Sequence, residues 1–98
     1  MSFVQIIEYS TTRQDEVDAL LKETLAATEG RRTATRAMRC TDRDKPNTYV
    51  NIVEFPSYEA AMQNSQMPET SAMAEQMAKL CDGPPIFRNL DVGETLEG

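Results

Sequence analysis

The sequence predicts an α+β, ferredoxin-like domain in which a four-stranded antiparallel sheet carries two helices on one face. Two observations lead to this prediction. Strand-like and helix-like periodicities follow one another along the chain in the order β-α-β-β-α-β. The chain has 98 residues, 40% of them hydrophobic and 27% charged, which suits one domain with one core. We therefore assign residues 1–92 to a single ferredoxin-like domain and residues 93–98 to a polar C-terminal tail.

The first half of the chain predicts a strand, a helix and a second strand. The segment FVQIIEY, residues 3–9, is rich in β-branched and aromatic side chains and predicts the first strand. Thr12 followed by Asp15 resembles a capping box. Apolar residues at helical spacing then continue to Gly30, which suits a left-handed C-terminal cap. The segment RRTATRAMRCT, residues 31–41, alternates two sets of side chains and predicts the second strand.

The second half predicts a strong strand, an interrupted helix and a last strand. The segment TYVNIVEF, residues 48–55, follows the turn DRDKPN, and Ser57 is placed to cap the next helix. That helix is interrupted at Pro68, which cannot donate a backbone hydrogen bond. It resumes, ends before Gly83 and two prolines, and is followed by the strand IFRNLDV, residues 86–92.

Three of the four predicted strands are apolar on both faces. In the first strand, Phe3 and Ile7 lie on one face while Val4 and Ile6 lie on the other. Two helices can cover only one face of the sheet, so the other face is a large exposed apolar surface. Sheet-to-sheet packing in a two-fold dimer would bury it. The sequence therefore predicts a homodimer formed through the sheet face.

The composition excludes several kinds of site. The chain contains no histidine and no tryptophan, which excludes histidine acid–base catalysis, histidine-ligated haem and zinc sites that use histidine. The cysteines, Cys40 and Cys81, form no CxxC pattern, and we interpret them as reduced thiols in the core. We expect neither a metal nor a bound cofactor.

The charge distribution argues against nucleic acid as a partner, because the net charge is −6. The apolar runs are all shorter than the roughly 20 residues that span a bilayer, so we expect no membrane partner. The N-terminus lacks signal-peptide features, and we expect a cytoplasmic protein. Between Arg31 and Lys45, however, six basic residues stand against two acidic ones. The simpler interpretation is a solvated strand and hairpin; the alternative is that one or two arginines face an anionic ligand or an acidic partner.

A resemblance to a known family rests on two segments. The stretch YVNIVEFPSYEAAMQNSQMPETSAM, residues 49–73, contains a strand ending in Glu-aromatic, a short turn, Glu-Ala and a helix broken at a proline. With the closing LCDGPPIFRNLDV, it resembles the dimeric α/β-barrel superfamily, and most of all its antibiotic biosynthesis monooxygenase-type domains, over residues 3–92. The resemblance implies a dimeric α/β barrel with a pocket between the sheet and the helices of each subunit. It implies several possible chemistries, including cofactor-free oxygenation of phenolic or anthrone-like polyketides and haem degradation.

The sequence departs from that family at the broken helix. Many relatives carry a His and then a Thr-Pro-His in the stretch that matches residues 64–69. Here Asn64 stands at the first histidine position and Glu69 at the second, with Met67 before Pro68. Because both histidines and any tryptophan are missing, haem degradation is not expected. The resemblance then implies a cofactor-independent monooxygenase acting on a small aromatic or polyketide-like substrate. The alternative is a non-catalytic, small-ligand-binding or accessory dimer.

The candidate catalytic residues are Asn64, Arg36 and Glu69. Asn64 could bind an enolate or carbonyl oxygen, or it could cap the turn beside Pro68. Glu69 would act as a base if the pocket raised its pKa, or would complement the dipole of a helix start. Arg36 would stabilise an oxyanion, or would be a buried cation paired with a carboxylate.

The candidate substrate-binding residues are Asn51, Tyr49, Met62, Met77 and Arg88. An unpaired amide at position 51 would be costly among apolar neighbours, so Asn51 either bonds across the dimer or points into a pocket. Tyr49 shares its face and could supply a phenol. The two methionines form an adaptable apolar lining or part of the core. Arg88, like Arg36, is either a paired cation or a pocket arginine.

Overall fold

The computed structural model describes residues 2–98, which contain four strands and three helices. The elements in chain order are β1 (Phe3–Ser10), α1 (Gln14–Ala27), β2 (Arg36–Thr41), β3 (Thr48–Phe55), α2 (Tyr58–Ser65), α3 (Pro68–Leu80) and β4 (Ile86–Asp91). The strands form one antiparallel sheet in the order β2-β3-β1-β4. This confirms the predicted ferredoxin-like class. Among the same residues, no helix has both the length and the apolar character that a bilayer crossing requires.

The start of α1 differs from the prediction. Arg13 occupies the N-cap position and its side chain makes no capping hydrogen bond. The side chain that holds the start of α1 is that of Thr11. Its Oγ1 accepts from the Arg13 backbone N–H at 2.9 Å and donates to the Leu80 carbonyl at 2.6 Å. The predicted capping box of Thr12 and Asp15 is therefore wrong. A buried threonine ties the end of β1 to the end of α3, and this tertiary contact has no local sequence signal.

The interruption at Pro68 is the start of a new helix. Ser57 caps α2 as predicted, because its Oγ accepts from the Ala60 N–H at 3.1 Å. Pro68 lies in the first turn of α3, where its missing N–H costs no helical hydrogen bond. Met67, just before it, is extended, with φ −66° and ψ 137°, as residues before proline prefer. The predicted second helix is thus two helices.

The second strand is shorter than the predicted residues 31–41. The carbonyl of Thr28, at the end of α1, accepts from the backbone N–H groups of Arg31 and Arg32 at 3.0 Å each. Gly30 supports this turn with φ 81°, two residues beyond the helix cap at which it was expected. Residues 31–35 therefore form a connection between α1 and β2.

The core lies between the sheet and the helices, in two clusters. One cluster packs the ends of two strands on α2 and consists of Phe3, Phe55, Ala60 and Ala61. The other packs the opposite end of β1 on α1 and α3 and consists of Tyr9, Val17 and Met77. Tyr49 on β3 stacks on Tyr9, with ring centroids 5.5 Å apart. The middle of the helix-facing side of the sheet lies between these clusters.

The opposite side of the sheet, here called the outer face, carries the alternate residues of each strand. The pairing register brings seven apolar side chains together on the outer face: Val4, Ile6, Met38, Val50, Ile52, Ile86 and Leu90. Met38 is 39% exposed and Leu90 is 43% exposed in the single chain. Cys40 is also exposed on this face, so its predicted core position is wrong for the isolated chain.

Candidate functional site

A cavity of about 400 Å³ lies between the sheet and the helices, in the region between the two core clusters. Its floor is formed by the middle of the sheet, where Ile7 of β1 lies opposite Asn51 of β3. Its walls include Leu21 from α1 and Met73 from α3, and Asn64 at the end of α2 also lines it. The volume falls within the range of about 300–1,000 Å³ that is usual for small-molecule sites.

Asn51 is the unusual residue on the floor of the cavity. Its Oδ1 is buried and accepts no hydrogen bond from any described residue of the chain. The register places Asn51 opposite Ile7 on one side and Arg39 on the other, on the helix-facing side of the sheet. A buried acceptor without a donor costs free energy, and a donor supplied from the cavity would remove that cost. The cavity floor at Asn51 therefore favours a ligand that places a hydrogen-bond donor next to Oδ1.

Asn64 lies where α2 ends and contributes its amide to the cavity wall. The side-chain Oδ1 accepts from the backbone N–H of Thr33 at 3.2 Å, which joins α2 to the connection before β2. The turn beside Pro68 uses the backbone carbonyl of Asn64, which accepts from the Met67 N–H at 3.3 Å. Because Oδ1 is engaged, the group that Asn64 offers to a ligand is the donor Nδ2–H.

Three arginines line the cavity, and none of its described lining residues is acidic. Arg39, on the same face as Asn51, forms an ion pair with Asp18 of α1. Burial lowers the pKa of Arg39, but its hydrogen bond to Asp18 and its interaction with Tyr9 outweigh the effect of burial, and the pKa is raised overall. Arg36 borders the cavity edge, but the register places it on the outer face with Met38, where it is exposed and pairs with Glu54 at 3.5 Å.

Arg32 differs from the other two arginines. It is exposed in the connection between α1 and β2, and its Nη1 donates to the Leu25 carbonyl at the end of α1 at 2.7 Å. In the part of the chain that the structure describes, no carboxylate lies within ion-pair distance of it. The cavity is therefore bordered by a cation whose charge is not compensated within the chain.

Glu69 lies outside this cavity. It lines a separate open groove between α1 and α3 and pairs with Arg31, with Nη2 and Oε2 2.7 Å apart. The hydrogen bond from Arg31 holds the pKa of the Glu69 carboxyl below its ordinary value. A raised pKa is what a general base at neutral pH requires, and Glu69 has the opposite shift.

The other sequence-predicted site residues lie near the cavity or away from it, but do not line it. Met62 packs against the cluster of Phe3 and Phe55, and Met77 is buried in the cluster of Tyr9. Tyr49 belongs to the same cluster through its stacking contact. Arg88 lies on the outer face, at the register position of Ile6. The cavity therefore brings together Asn51 and Asn64 from the predicted set, and Arg36 only borders its edge from the outer face.

Arg32 and Arg39 are functional candidates that the sequence alone did not single out. The cluster of basic residues after Gly30 was a visible signal, but it did not show which arginine faces the helices. The pairing of β2 with β3 decides this, because it places Arg39 beside Asn51 and Arg36 opposite Glu54.

The fold places the chain in a structural class. It has the fold of antibiotic biosynthesis monooxygenase-like proteins. A variant of SnoaB, a cofactor-independent oxygenase from Streptomyces nogalater, matches with a TM-score of 0.83 and 17% identity over 99% of this chain and 98% of that chain. Rv0793 from Mycobacterium tuberculosis matches with a TM-score of 0.82 and 14% identity over 99% of this chain and 100% of that one.

A third structure, described as an antibiotic biosynthesis monooxygenase, matches with a TM-score of 0.76 and 17% identity over 96% of this chain and 100% of that chain. No family model matches the sequence, and no curated protein matches it. At these identities the structural likeness shows the fold, and the chemistry of the site has to be argued from its own residues.

Proposed function

We propose that this protein is a cofactor-independent monooxygenase that oxidises a small aromatic or polyketide-like substrate in the cavity between sheet and helices. The observation that carries the proposal is the buried, unpaired Oδ1 of Asn51 in a cavity lined by arginines and by no acidic residue. Such a lining favours a substrate with a hydroxyl donor and a second oxygen that becomes anionic. The likeness to SnoaB, described as a cofactor-independent oxygenase, supports the type of reaction.

The reaction begins with loss of a proton from the bound substrate. The Nδ2–H of Asn64 and the positive charge of Arg39 stabilise the resulting enolate or phenolate, which lowers the substrate's own pKa. The proton passes to solvent, because the chain has no histidine and the pKa of Glu69 is depressed. Asn51 accepts a hydrogen bond from a substrate hydroxyl that stays protonated.

The electron-rich anion then reacts with molecular oxygen. For an anthrone, the two C–H bonds of the ring methylene are replaced by a carbonyl group. One oxygen atom enters that carbonyl and the other leaves as water, together with the two hydrogens. The substrate loses four electrons and dioxygen gains four, so the step needs no further oxidant or reductant.

Oxygen uptake with anthrones and hydroquinones tests this proposal. We expect uptake above the autoxidation rate, and a loss of about a hundredfold in Asn64→Ala, the size typical of removing one donor to a developing oxyanion. Arg39→Ala, which removes the cation beside Asn51, should also slow the reaction. Gln63→Ala and Arg43→Ala are matched controls, because both residues are exposed and neither lines the cavity. Rates unchanged by Asn64→Ala and Arg39→Ala would refute this site.

A second candidate is a non-catalytic dimer that binds a small ligand. It is favoured by the lack of a carboxylate among the described lining residues and by the depressed pKa of Glu69. Isothermal titration with the same aromatic compounds separates the two functions. Saturable binding without any oxygen consumption would support the binding role and would contradict the oxygenase.

Homodimerisation through the outer face is part of the proposal, because that face exposes apolar side chains in the single chain. Packing of two such sheets would bury Val50 and its neighbours. We expect light scattering to give the mass of a dimer, and we expect Val50→Asp to give the mass of a folded monomer. Ala74→Asp, on the exposed surface of α3, is the matched control and should remain dimeric. A wild-type protein that is monomeric at micromolar concentration would contradict the dimer.

A further inference from the structure

We infer that the cavity selects hydroxyaromatic carboxylates, with Arg32 binding the carboxylate at the rim and Asn51 accepting a hydrogen bond from the hydroxyl at the floor. The inference deepens the proposed function and rests on it in one respect, that the cavity is the ligand site. It goes further by assigning a specificity-determining role to Arg32 and by naming two groups that the ligand must carry.

The first step of the argument is the charge balance of the three lining arginines. Arg36 and Arg39 each have a carboxylate partner in Glu54 and Asp18, and neither carboxylate lines the cavity. Arg32 has no such partner among the described residues, and only its Nη1 is engaged, with a backbone carbonyl. A guanidinium with free N–H donors in a fixed fork is well suited to bind a carboxylate with two parallel hydrogen bonds. The rim of the cavity therefore favours a ligand with one carboxylate, which Arg32 would bind.

The second step is the chemistry of the floor. The unpaired atom of Asn51 is an acceptor, so it is satisfied by an O–H or N–H group of the ligand and repels an oxyanion. The ligand's permanent charge therefore lies elsewhere, and the group over the middle of β3 is a protonated donor, which in the proposed aromatic substrate is a hydroxyl. The acceptor at the floor favours a hydroxyl at one end of the ligand, and the cation at the rim favours an anionic group at the other end.

The third step is the separation of these two positions. Asn51 lies in the middle of the sheet between Ile7 and Arg39, whereas Arg32 lies in the exposed connection that follows α1. The wall between floor and rim includes Leu21 and further apolar side chains. A flat ring system with a hydroxyl at one end and a carboxylate at the other fits this sequence of polar, apolar and cationic surfaces.

Binding of four naphthalene derivatives by isothermal titration tests the inference without any turnover. The set is a hydroxynaphthoate with its two groups on opposite rings, its methyl ester, the naphthoate without the hydroxyl, and the naphthol without the carboxylate. We expect the wild-type protein to prefer the hydroxynaphthoate to its ester, and to the plain naphthoate, each by about tenfold, the factor that corresponds to one hydrogen bond to a charged or buried partner.

Two variants assign the two groups separately. Arg32→Gln should abolish the preference for the acid over its ester and keep the preference for the hydroxyl. Asn51→Leu should do the reverse. Arg43→Gln is the matched control, because it removes the same charge from an exposed turn that does not line the cavity. Circular dichroism of each variant confirms that it is folded.

The inference is overturned if the wild-type protein binds acid and ester equally, if none of the four compounds binds, or if Arg43→Gln weakens binding as much as Arg32→Gln. Its failure is distinct from failure of the oxygenase proposal. Oxygen uptake with anthrones but no preference for the carboxylate would overturn the inference alone. The expected preferences without oxygen uptake would support the inference and contradict the oxygenase.

Discussion

Replacing Asn51 with leucine should make the protein more stable while removing a group that the ligand needs. The Oδ1 of Asn51 is buried without a partner, and leaving a buried acceptor unsatisfied costs about 1–3 kcal/mol. Leucine has the same branched shape and the same number of side-chain heavy atoms, a higher preference for strands and no polar atom, and the adjoining cavity leaves space for its larger methyl groups. The conflict between stability and ligand binding at one position is typical of a functional site.

The magnitude follows from the burial of that one atom. We expect Asn51→Leu to raise the free energy of unfolding by at least about 1 kcal/mol, because the cost of the unsatisfied acceptor is removed. For a domain of this size, each 1 kcal/mol corresponds to an increase in Tm of about 4–8 °C. Urea unfolding followed by circular dichroism gives the free energy, and calorimetry gives the Tm. Both proteins must be compared at one concentration, because dimerisation makes Tm depend on concentration.

Asn89→Leu is the matched control for this measurement. Asn89 is also an asparagine in the middle of a strand and on the helix-facing side, but it is exposed and its Oδ1 accepts from Gln5 Nε2 at 3.1 Å. We expect its free energy of unfolding to change by no more than about 0.5 kcal/mol, as is usual for surface positions. If Asn51→Leu is no more stable than Asn89→Leu, then Oδ1 is satisfied in the ligand-free protein and the reasoning about the cavity is refuted.

Three further predictions concern the fold around the site. Val17→Ala should lower the free energy of unfolding by about 2–3 kcal/mol, because Val17 is fully buried and the removal of its two methyl groups leaves a cavity. A loss below about 0.5 kcal/mol in denaturant unfolding would contradict this expectation. Ser57→Ala should cost about 1 kcal/mol by removing the cap on Ala60, and a Ser57→Asp variant should recover most of it. The pKa of the Glu69 carboxyl, followed by NMR, should lie below its ordinary value of 4.5 and should rise in Arg31→Gln, and a titration midpoint unchanged by that substitution would contradict the pairing. Because the pKa is lower in the folded state, the stabilisation from this pair is present above pH 4.5 and is lost as the pH falls through the folded pKa.

Much of the fold is predictable because local patterns carry it. The strand segments show β-branched and aromatic periodicity, and Ser57 and Pro68 mark helix starts by general rules of capping and backbone geometry. The errors fall where a tertiary contact replaces a local one. The start of α1 depends on Thr11 bonding to the distant Leu80 carbonyl. The late start of β2 depends on the turn that the Thr28 carbonyl closes.

The candidate site is predictable only in part. Asn51 was identifiable as an amide among apolar neighbours and Asn64 as the amide beside the break at Pro68, and both line the cavity. The sequence did not show which arginine of β2 faces the cavity. A strand presents alternate residues to opposite faces of the sheet, and strand pairing decides which face packs on the helices. Likewise, nothing next to Glu69 in the sequence indicates its pairing with Arg31, which stands 38 positions away.

The sequence by itself determined the order of the elements, the two-sided apolar character of the sheet and the absence of histidine chemistry. These follow from residue types and their spacing, which act over a few neighbours. The tertiary structure alone decided that Asn51 faces the helices with a buried, unpaired oxygen, and that Arg32 borders the same cavity without a carboxylate partner among the described residues. Both depend on strand register and on the packing of distant segments, because burial and charge compensation are properties of what surrounds a residue in space.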